Sequence, residues 1–196
     1  MKRYISVLII LALCLSMCAC SSSSEEKVTG SEEKVASSSE DEATFSSEDE
    51  APNVMPEFST VDLEGNEVTS DIFAQADLTV VNFWATYCSP CINELPDLEE
   101  WSESMPENVQ IIGIVVDVES EDSEEYSYAQ QIVDATGVTY QNLVAAGEFD
   151  EMISEMIGVP TTYFVDREGN LVGNSIIGAN VSGYKKYVEE YLNESE

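Results

Sequence analysis

Runs of apolar and β-branched residues predict the strands of this chain. LTVVNFWA (78–85) and NVQIIGIVVDV (108–118) are nearly continuous apolar runs, which is typical of strands buried on both faces of a sheet. EFSTVDLEGNEVTS alternates around an EGN turn and predicts a β-hairpin. VTYQNLVA predicts a shorter strand, and VPTTYFVDREGNLVGNSIIG predicts a second hairpin with residues 166–170 at its turn.

Apolar residues at helical spacing predict the helices between these strands. In CINELPDLEEWSESM, Ile92, Leu95, Leu98 and Trp101 fall on one face, and Pro96 inside the segment predicts a kink. SEDSEEYSYAQQIVDATG predicts a helix closed by its final glycine, and GEFDEMISEMIG predicts a further short helix.

The order of these elements indicates the fold class. A short helical turn at SDIF, with Ser70 as its N-cap, follows the first hairpin. SGYKKYVEEYL predicts a closing helix, in which Tyr184, Tyr187, Val188 and Tyr191 form one stripe. Strands and helices alternate and end in an antiparallel hairpin, so we expect an α/β domain with a central mixed β-sheet flanked by helices and an N-terminal β-hairpin.

The N-terminus has the features of a secretion signal. Two basic residues precede the apolar run YISVLIILALCL, which is too short to span a bilayer comfortably. The run ends in LSMCACSSSS, which resembles a bacterial lipobox, where a small residue precedes the lipidated cysteine. Cys20 follows an alanine and is preferred over Cys18, which follows a bulky methionine. We therefore expect residues 1–19 to be a lipoprotein signal peptide, with an uncleaved anchor as the alternative.

Composition separates a linker from the folded domain. Residues 20–55 are dominated by Ser, Glu and Asp, and such a segment cannot bury enough surface to fold. We expect them to form a lipid-anchored, acidic, disordered linker, and residues 56–196 to form the domain. The formal net charge of -32 disfavours any nucleic-acid partner. The absence of histidine removes Ser–His and Cys–His catalysis and the commonest metal ligand.

Cys88 and Cys91, in NFWATYCSPCINELP, are the only cysteines after residue 20. A structural zinc site needs about four ligands, and this chain offers one CxxC pair and no histidine. A disulfide that closes so short a loop removes little entropy from the unfolded chain, which argues against a purely structural staple. A reactive dithiol is the favoured interpretation, and the metal site and the staple are the alternatives.

The position of the pair between a buried strand and a helix supports reactivity. Cys88 would lie where unpaired backbone N–H groups and the helix dipole favour a thiolate, and Cys91 in the first turn would be more shielded. The Cys88 thiolate would attack a substrate disulfide, and Cys91 would resolve the mixed disulfide. Pro90 would stiffen the loop without removing a needed N–H.

Two motifs together carry a family resemblance. VVNFWATYCSPCINELP, followed further along by IGVPTTYFVDREGNLVG, resembles the thioredoxin superfamily, and more narrowly the TlpA/ResA-type membrane-anchored extracytoplasmic thioredoxins, over residues 54–193. FWATYC matches the family's FWAxWC with Tyr87 in place of tryptophan, and GVPTTYFVD matches GxPTxFxxD. The resemblance implies a thioredoxin-like fold in which Pro160 is cis, faces the dithiol, and presents the Val159 backbone to a substrate strand.

The resemblance also implies particular site residues. The substrate-binding residues would be Trp84, Tyr87, Ser89, Pro90, Val159, Pro160 and Thr161. Cytosolic thioredoxins have a buried aspartate where this chain has Asn82, whereas the ResA-type group has a glutamate that Glu94 matches. Glu94 would raise the cysteine pKa values or relay the proton of the resolving cysteine. The alternative is that Glu94 is one more acid on a solvated helix face.

Local and overall charge favour a reducing protein. Ser89–Pro90 lacks the histidine of strongly oxidising loops, and residues 58–196 carry 28 acids against three basic residues. A negative field disfavours the thiolate and so favours the disulfide state, which makes the dithiol a reductant. We therefore expect a reductase of protein disulfides, lipid-anchored to the outer face of the bacterial cytoplasmic membrane.

The resemblance suggests partners for such a reductase. Electrons would come from a membrane thiol donor of the CcdA/DsbD type. The clients would be apocytochrome c, an extracytoplasmic methionine sulfoxide reductase or misoxidised secreted proteins. The chain has no nicotinamide or flavin fingerprint, so we expect no cofactor, and we expect a monomer.

Three other functions stay open. A disulfide-forming oxidase would have the same fold. A peroxiredoxin-like peroxidase would need a Pro-x-x-x-Thr-x-x-Cys loop, whereas Thr86 lies two residues before Cys88 with no proline ahead of it. A non-enzymatic anchored binding module would not need the Cys88 thiol at all.

Overall fold

The computed structural model describes residues 53–194. The predicted signal peptide (1–19), both candidate lipidation sites (Cys20 and Cys18) and nearly all of the predicted linker lie outside the described residues, and these assignments stay predictions.

The folded part begins slightly earlier than the expected boundary at residue 56. Val54 forms a β-bridge with Asn170, and the N–H of the buried Met55 donates to the carbonyl of Gly169. Both residues are therefore held by the turn of the second hairpin, and the boundary between linker and domain moves back by at least two residues.

Strands and helices alternate along the described residues in the predicted order. The strands are β1 (Ser59–Val61), β2 (Glu67–Thr69), β3 (Leu78–Trp84), β4 (Val109–Val115), β5 (Asn142–Val144), β6 (Thr161–Asp166) and β7 (Ile176–Ile177). The α-helices are α1 (Ser89–Ser102), α2 (Glu124–Thr136), α3 (Asp150–Glu155) and α4 (Val181–Glu194). Two 3₁₀ helices span Ser70–Gln75 and Gly147–Phe149.

The main sheet has five strands in the order β5-β4-β3-β6-β7. Strands β3, β4 and β5 are parallel, whereas β6 pairs antiparallel with β3 and with β7. Strands β1 and β2 form a separate antiparallel hairpin at the N-terminal side. The expected mixed sheet flanked by helices, with an N-terminal hairpin, is therefore confirmed.

The central strand β3 is buried along its whole length, as its apolar run predicted. Successive side chains of a strand point to opposite faces. Val80 and Trp84 pack in the cluster that contains residues of α1, α2 and α4, whereas Val81 and Phe83 pack in the cluster on the other face. Asn82 lies between Val80 and Trp84, so this polar side chain faces the helices that carry the cysteine pair and the C-terminus.

Helix α2 ends where the sequence predicted but begins at Glu124, four residues later than the predicted segment. The Ser123 hydroxyl accepts a hydrogen bond from the Tyr126 N–H, and Gly137 closes the helix in the left-handed conformation with φ 75°. The prediction that Ser70 is an N-cap is wrong, because the 3₁₀ helix begins at Ser70 itself after Thr69. The Ser70 hydroxyl instead donates to Glu57 Oε2 at 2.5 Å.

The second hairpin turns where expected but pairs less regularly. A bridge between Val165 and Leu171 closes the turn, and pairing then stops until β7 meets the start of β6. Gly173, between these two stretches, has φ 68°, a left-handed conformation that bends the returning strand away from β6.

Candidate active site

The cysteine pair lies where β3 leaves the sheet and α1 begins. Cys88 is the N-cap of α1, and its sulfur accepts a hydrogen bond from the Cys91 N–H at 3.2 Å. The two sulfurs form a disulfide, with a Cα–Cα distance of 5.3 Å. The Cys88 sulfur therefore stands at the end of α1 where unpaired N–H groups and the helix dipole stabilise negative charge.

The two cysteines differ in exposure. Cys88 is 7% exposed to solvent, whereas Cys91 is fully buried. The neighbours of Cys88 are open, since Tyr87 is 74% exposed and both Ser89 and Pro90 are exposed. An incoming disulfide can thus reach Cys88 more easily than Cys91. The sequence predicted this difference, with Cys91 as the more shielded cysteine.

The loop before β6 lies beside this pair, because β6 is the antiparallel neighbour of β3 and starts where β3 ends. The Val159–Pro160 peptide bond is cis, and the Val159 carbonyl oxygen lies 3.5 Å from Cys88 Sγ. The carbonyl of Pro160 accepts a hydrogen bond from the Gly178 N–H at 2.7 Å, which ties this loop to the end of β7. The two motifs that carried the resemblance therefore meet at one place.

Three side chains of the predicted substrate-binding set are buried, namely those of Trp84, Thr161 and Pro160. Trp84 is fully buried, and its indole N–H donates to Asn142 Oδ1 at 2.9 Å. Thr161 is 1% exposed, and its hydroxyl donates to the carbonyl of Gly158 at 2.6 Å. Neither side chain is open to a docked substrate, because each faces the core from a strand. The side chain of Pro160 is buried as well.

A carboxyl group lies buried beneath the cysteine loop. Glu94 follows Cys91 by three residues, and residues at this spacing share one face of a helix. Glu94 is 4% exposed, which excludes a solvated helix face. Its Oε1 accepts a hydrogen bond from Asn82 Nδ2 at 3.0 Å, and its Oε2 lies 3.2 Å from the Tyr184 hydroxyl.

Burial sets the protonation behaviour of this carboxyl. Removal from water raises the pKa of Glu94 above its ordinary value, and hydrogen bonds from Asn82 and Tyr184 offset only part of that effect. Asn82 Nδ2 also donates to Thr162 Oγ1 at 3.0 Å. Glu94 is thus a group that can hold a proton close to Cys91 at a higher pH than a surface carboxyl could.

A second carboxylate holds the start of the loop. Both oxygens of Asp117 accept the Thr86 N–H at 3.0 Å, and Oδ2 also accepts the Thr86 hydroxyl at 2.6 Å. Asp117 follows β4, which is parallel to β3, so the two strand ends meet at one edge of the sheet. It puts a negative charge two residues before Cys88.

Sequence reasoning missed the supporting residues of this site. Asp117 and Asn142 carried no local signal, because Thr86 and Trp84, which they bond in the site, lie far from them along the chain. Tyr184 was assigned only to the apolar stripe of the last helix, whereas its hydroxyl contacts Glu94. Two exposed apolar residues near the Val159 loop were missed too, namely Ile157 at 86% and Ile177 at 53% exposure.

Neither metal ligation nor membrane crossing has support within residues 53–194. Across that range no three Cys, Asp or Glu side chains converge as a metal site would require. No helix in the same range is long and apolar enough to cross a bilayer. The prediction that the protein needs no metal or cofactor stays a prediction.

Comparison with known proteins gives the class of this molecule. The AhpC/TSA family model matches residues 51–173, so the chain belongs to the AhpC/TSA family. Thiol-disulfide oxidoreductase ResA of Bacillus thuringiensis (strain Al Hakam) is 30% identical over 149 residues, which cover 73% of this chain and 75% of the relative. Sporulation thiol-disulfide oxidoreductase A of Bacillus subtilis is 23% identical over 142 residues, which cover 71% and 82%.

A solved structure agrees with these relatives. A thiol:disulfide interchange protein of the thioredoxin family from Chlorobium tepidum TLS matches with a TM-score of 0.54 and 26% identity, over 68% of this chain and 90% of that chain. The thioredoxin-like fold is therefore confirmed. Together with the Cys88–Cys91 pair, the relatives identify the chain as a thiol-disulfide oxidoreductase of the ResA type.

Proposed function

We propose that this oxidoreductase works as a reductase of protein disulfides outside the cytoplasm. The Cys88 thiolate attacks one sulfur of a client disulfide, forms a mixed disulfide and releases the other client sulfur as a thiolate. Cys91 then attacks Cys88, which frees the second client thiol and leaves the Cys88–Cys91 disulfide. Two electrons pass to the client. A membrane thiol donor of the CcdA/DsbD type then reduces the Cys88–Cys91 disulfide again by the same exchange.

The observation that carries this proposal is the inequality of the two sulfurs. Cys88 keeps some exposure at the helix N-cap and accepts the Cys91 N–H, whereas Cys91 is closed off. A backbone N–H that points at a sulfur stabilises its thiolate, which is the attacking species. The shielded partner can react only with a sulfur already attached to Cys88, which suits a resolving role.

A docking surface for the client surrounds Cys88. Tyr87 and Pro90, close to Cys88 in the chain, are exposed, the Val159 carbonyl lies 3.5 Å from the sulfur, and Ile157 is exposed in the same loop as Val159. Ile177, which pairs with Thr161 at the start of β6, adds further exposed apolar surface. An extended client segment would lie between these apolar residues and hydrogen-bond with the Val159 backbone.

Two carboxyl groups favour the reducing direction. Asp117 bonds to Thr86 next to the loop, and Glu94 lies buried on the Cys91 face of α1. No basic side chain contributes to the loop Tyr87–Pro90 itself. Negative charge near a thiolate destabilises it, so the pair gives up its electrons more readily than in loops that contain histidine.

Glu94 would supply the acid–base step. As a carboxylate it accepts the proton of the Cys91 thiol before Cys91 attacks the mixed disulfide. As a carboxylic acid it returns that proton when the donor reduces the pair and Cys91 leaves as a thiolate. A raised pKa brings the two forms closer in free energy near neutral pH, which is what a reversible proton carrier needs.

The remaining assignments come from the N-terminal sequence and from the family. We propose that residues 1–19 are removed, that Cys20 (or Cys18) is lipidated, and that the acidic linker 20–55 separates the membrane from the domain. The protein would then act at the outer face of the cytoplasmic membrane. Apocytochrome c, an extracytoplasmic methionine sulfoxide reductase and misoxidised secreted proteins are the proposed clients.

A redox titration of the Cys88–Cys91 pair tests the direction of exchange. The protein is equilibrated with glutathione or dithiothreitol buffers, and the fraction of disulfide is read by mass after acid quenching. A reductase predicts a midpoint potential nearer to about -270 mV than to about -120 mV. A midpoint close to the latter value would instead assign the protein as a disulfide-forming oxidase.

A further inference from the structure

The hydroxyl of Tyr184 lies between the buried carboxyl and the loop that joins β7 to α4. Tyr184 is 0% exposed, and its oxygen is 3.2 Å from Glu94 Oε2 and 2.9 Å from the carbonyl oxygen of Gly178. The same oxygen accepts a hydrogen bond from the Asn180 N–H at 3.2 Å. One hydroxyl hydrogen therefore has two acceptors within reach.

This geometry suits both protonation states of the carboxyl. When Glu94 is ionised, the Tyr184 hydroxyl donates to Oε2. When Glu94 is protonated, its O–H donates to the Tyr184 oxygen, and the hydroxyl hydrogen turns to the Gly178 carbonyl. Only the Tyr184 O–H bond has to rotate. The Glu94 carboxyl keeps a hydrogen bond to Tyr184 in both protonation states.

We propose that Tyr184 is a positioning residue for Glu94, whose hydroxyl forms a hydrogen bond with either protonation state of the carboxyl during thiol–disulfide exchange. This inference rests on the proposed function, because it needs Glu94 to take up and return the Cys91 proton. Tyr184 itself transfers no proton to the sulfurs. Its own pKa is raised to about 12 by burial, so the hydroxyl keeps its hydrogen throughout the neutral range.

The other groups that face Glu94 do not supply the same bond. Among the described residues, Glu94 has side-chain hydrogen-bond partners in Asn82 on β3 and Tyr184 on α4. The backbone N–H of Asn180 also acts on the carboxyl, and an N–H can only donate, so it suits the ionised form. Asp97 on the same helix adds only a like charge. Tyr140, before β5, feels the charge of Glu94, but its buried hydroxyl makes no hydrogen bond. The Asn82 amide donates through Nδ2, so it suits the ionised form.

The test is the pH dependence of client release in Tyr184→Phe. The full chain is reduced and mixed with a fluorescent disulfide peptide, and the single-turnover release of both peptide thiols is followed as a function of pH. A hydrogen bond to the charged carboxylate is stronger than one to the neutral acid, so removing the Tyr184 hydroxyl destabilises the charged form more. The acidic limb of the profile should therefore move upward by about one pH unit. Release below that limb should slow by about tenfold, while the limb stays in place in Tyr187→Phe.

Tyr187 is a matched control because it lies one turn along α4, packs its ring on Phe164 at 4.0 Å and makes no bond to Glu94. In a Glu94→Gln background, Tyr184→Phe should leave the profile unchanged. Equal profiles for Tyr184→Phe and Tyr187→Phe would overturn the inference while leaving the proposed function intact. Failure of the wild-type chain to release any thiol, or release without Cys88, would instead overturn the proposed function.

A measurement on the unmutated residue covers the case in which Tyr184→Phe does not fold. Tyrosine is labelled at the ring carbon that bears oxygen, and its NMR chemical shift is followed as a function of pH. In the wild type, the shift of Tyr184 should change as the Glu94 carboxyl titrates. It should not titrate in Glu94→Gln. A Tyr184 resonance that is constant through the titration of Glu94 would equally contradict the inference.

Discussion

A carboxyl that is only 4% exposed, like that of Glu94, is costly to ionise because the folded chain removes the water that solvates its charge. Asn82 and Tyr184 return part of that solvation through hydrogen bonds, yet the pKa of Glu94 remains raised by burial. The residue that would serve exchange chemistry therefore costs stability whenever it is charged.

Replacement of Glu94 by glutamine separates these two effects. The folded chain holds the Glu94 proton to higher pH than the unfolded chain does. The stabilising contribution of the protonated form is thus complete below the ordinary carboxyl pKa and is lost as pH rises through the raised pKa. Glu94→Gln stays neutral, so the free energy of unfolding of the oxidised protein should fall less between about pH 4 and about pH 8 than in wild type. Disulfide reduction at neutral pH should slow by about 10²-fold.

Urea unfolding across the pH range measures the first effect, and insulin reduction measures the second. Glu100→Gln is the control for stability, since Glu100 lies on the same helix but is exposed. A variant with wild-type activity, or one whose unfolding free energy keeps the wild-type pH dependence, would show that Glu94 has neither role.

Residues of this site could be predicted where their partners are close along the chain. Cys88, Cys91 and Glu94 fall within one helix start, so spacing alone brings them together. Tyr184 meets Glu94 across 90 residues, and Asp117 meets Thr86 across 31. Such pairings depend on how strands and helices pack, which hydrophobic periodicity does not specify. The same limit applies to the burial of Trp84, because an aromatic residue next to a reactive loop can face either core or solvent.

At the scale of elements, strong local signals gave the correct structure. The two turns with the sequence D-x-E-G-N, which start at Asp62 and Asp166, close with the same hydrogen bonds. In each, the aspartate oxygens accept the N–H groups two and four residues on and the amide of the final asparagine. Weak signals did less well, since the returning strand of the second hairpin breaks at Gly173.

Gly137 offers a test of how helix α2 ends. It has φ 75°, and an added Cβ would meet no atom within 4 Å. Gly137→Ala should therefore destabilise the fold through backbone conformation alone, by about 1 kcal/mol, as measured by chemical denaturation. Gly147→Ala is the matched control, because its φ is not positive and its nearest contact is 3.9 Å away, and it should cost much less. Equal costs for both variants would refute the left-handed cap.

At the scale of the molecule, charge is unevenly distributed over the domain. Arg167 pairs with Asp77, next to the start of β3 and so at the opposite end of that strand from the disulfide. Lys186 pairs with Glu190, and Lys185 lies over the ring of Trp101 at the far end of α1. The segments that follow β4 and β5 lie at the same edge of the sheet as Cys88, and all their charged residues are acidic. These residues are Asp117, Glu119, Glu121, Asp122, Glu148, Asp150 and Glu151.

This asymmetry predicts a preference for basic clients. Two disulfide peptides that differ only in flanking Lys or Glu residues should react with the reduced protein at different rates at low salt. The Lys peptide should react faster by about tenfold, and the difference should shrink as salt screens the field. Stopped-flow fluorescence with increasing NaCl measures this. Equal rates at low salt would show that the acidic edge does not steer clients.

The most direct test of the central claim is the rate at which each thiol of the reduced protein is alkylated. Iodoacetamide labelling at neutral pH, read by peptide mass spectrometry, gives separate rates for Cys88 and Cys91. Cys88 should react at least about tenfold faster, because it is the partly exposed sulfur that accepts the helix N–H. Two slow and equal rates, or a faster Cys91, would contradict the assignment of Cys88 as the nucleophile.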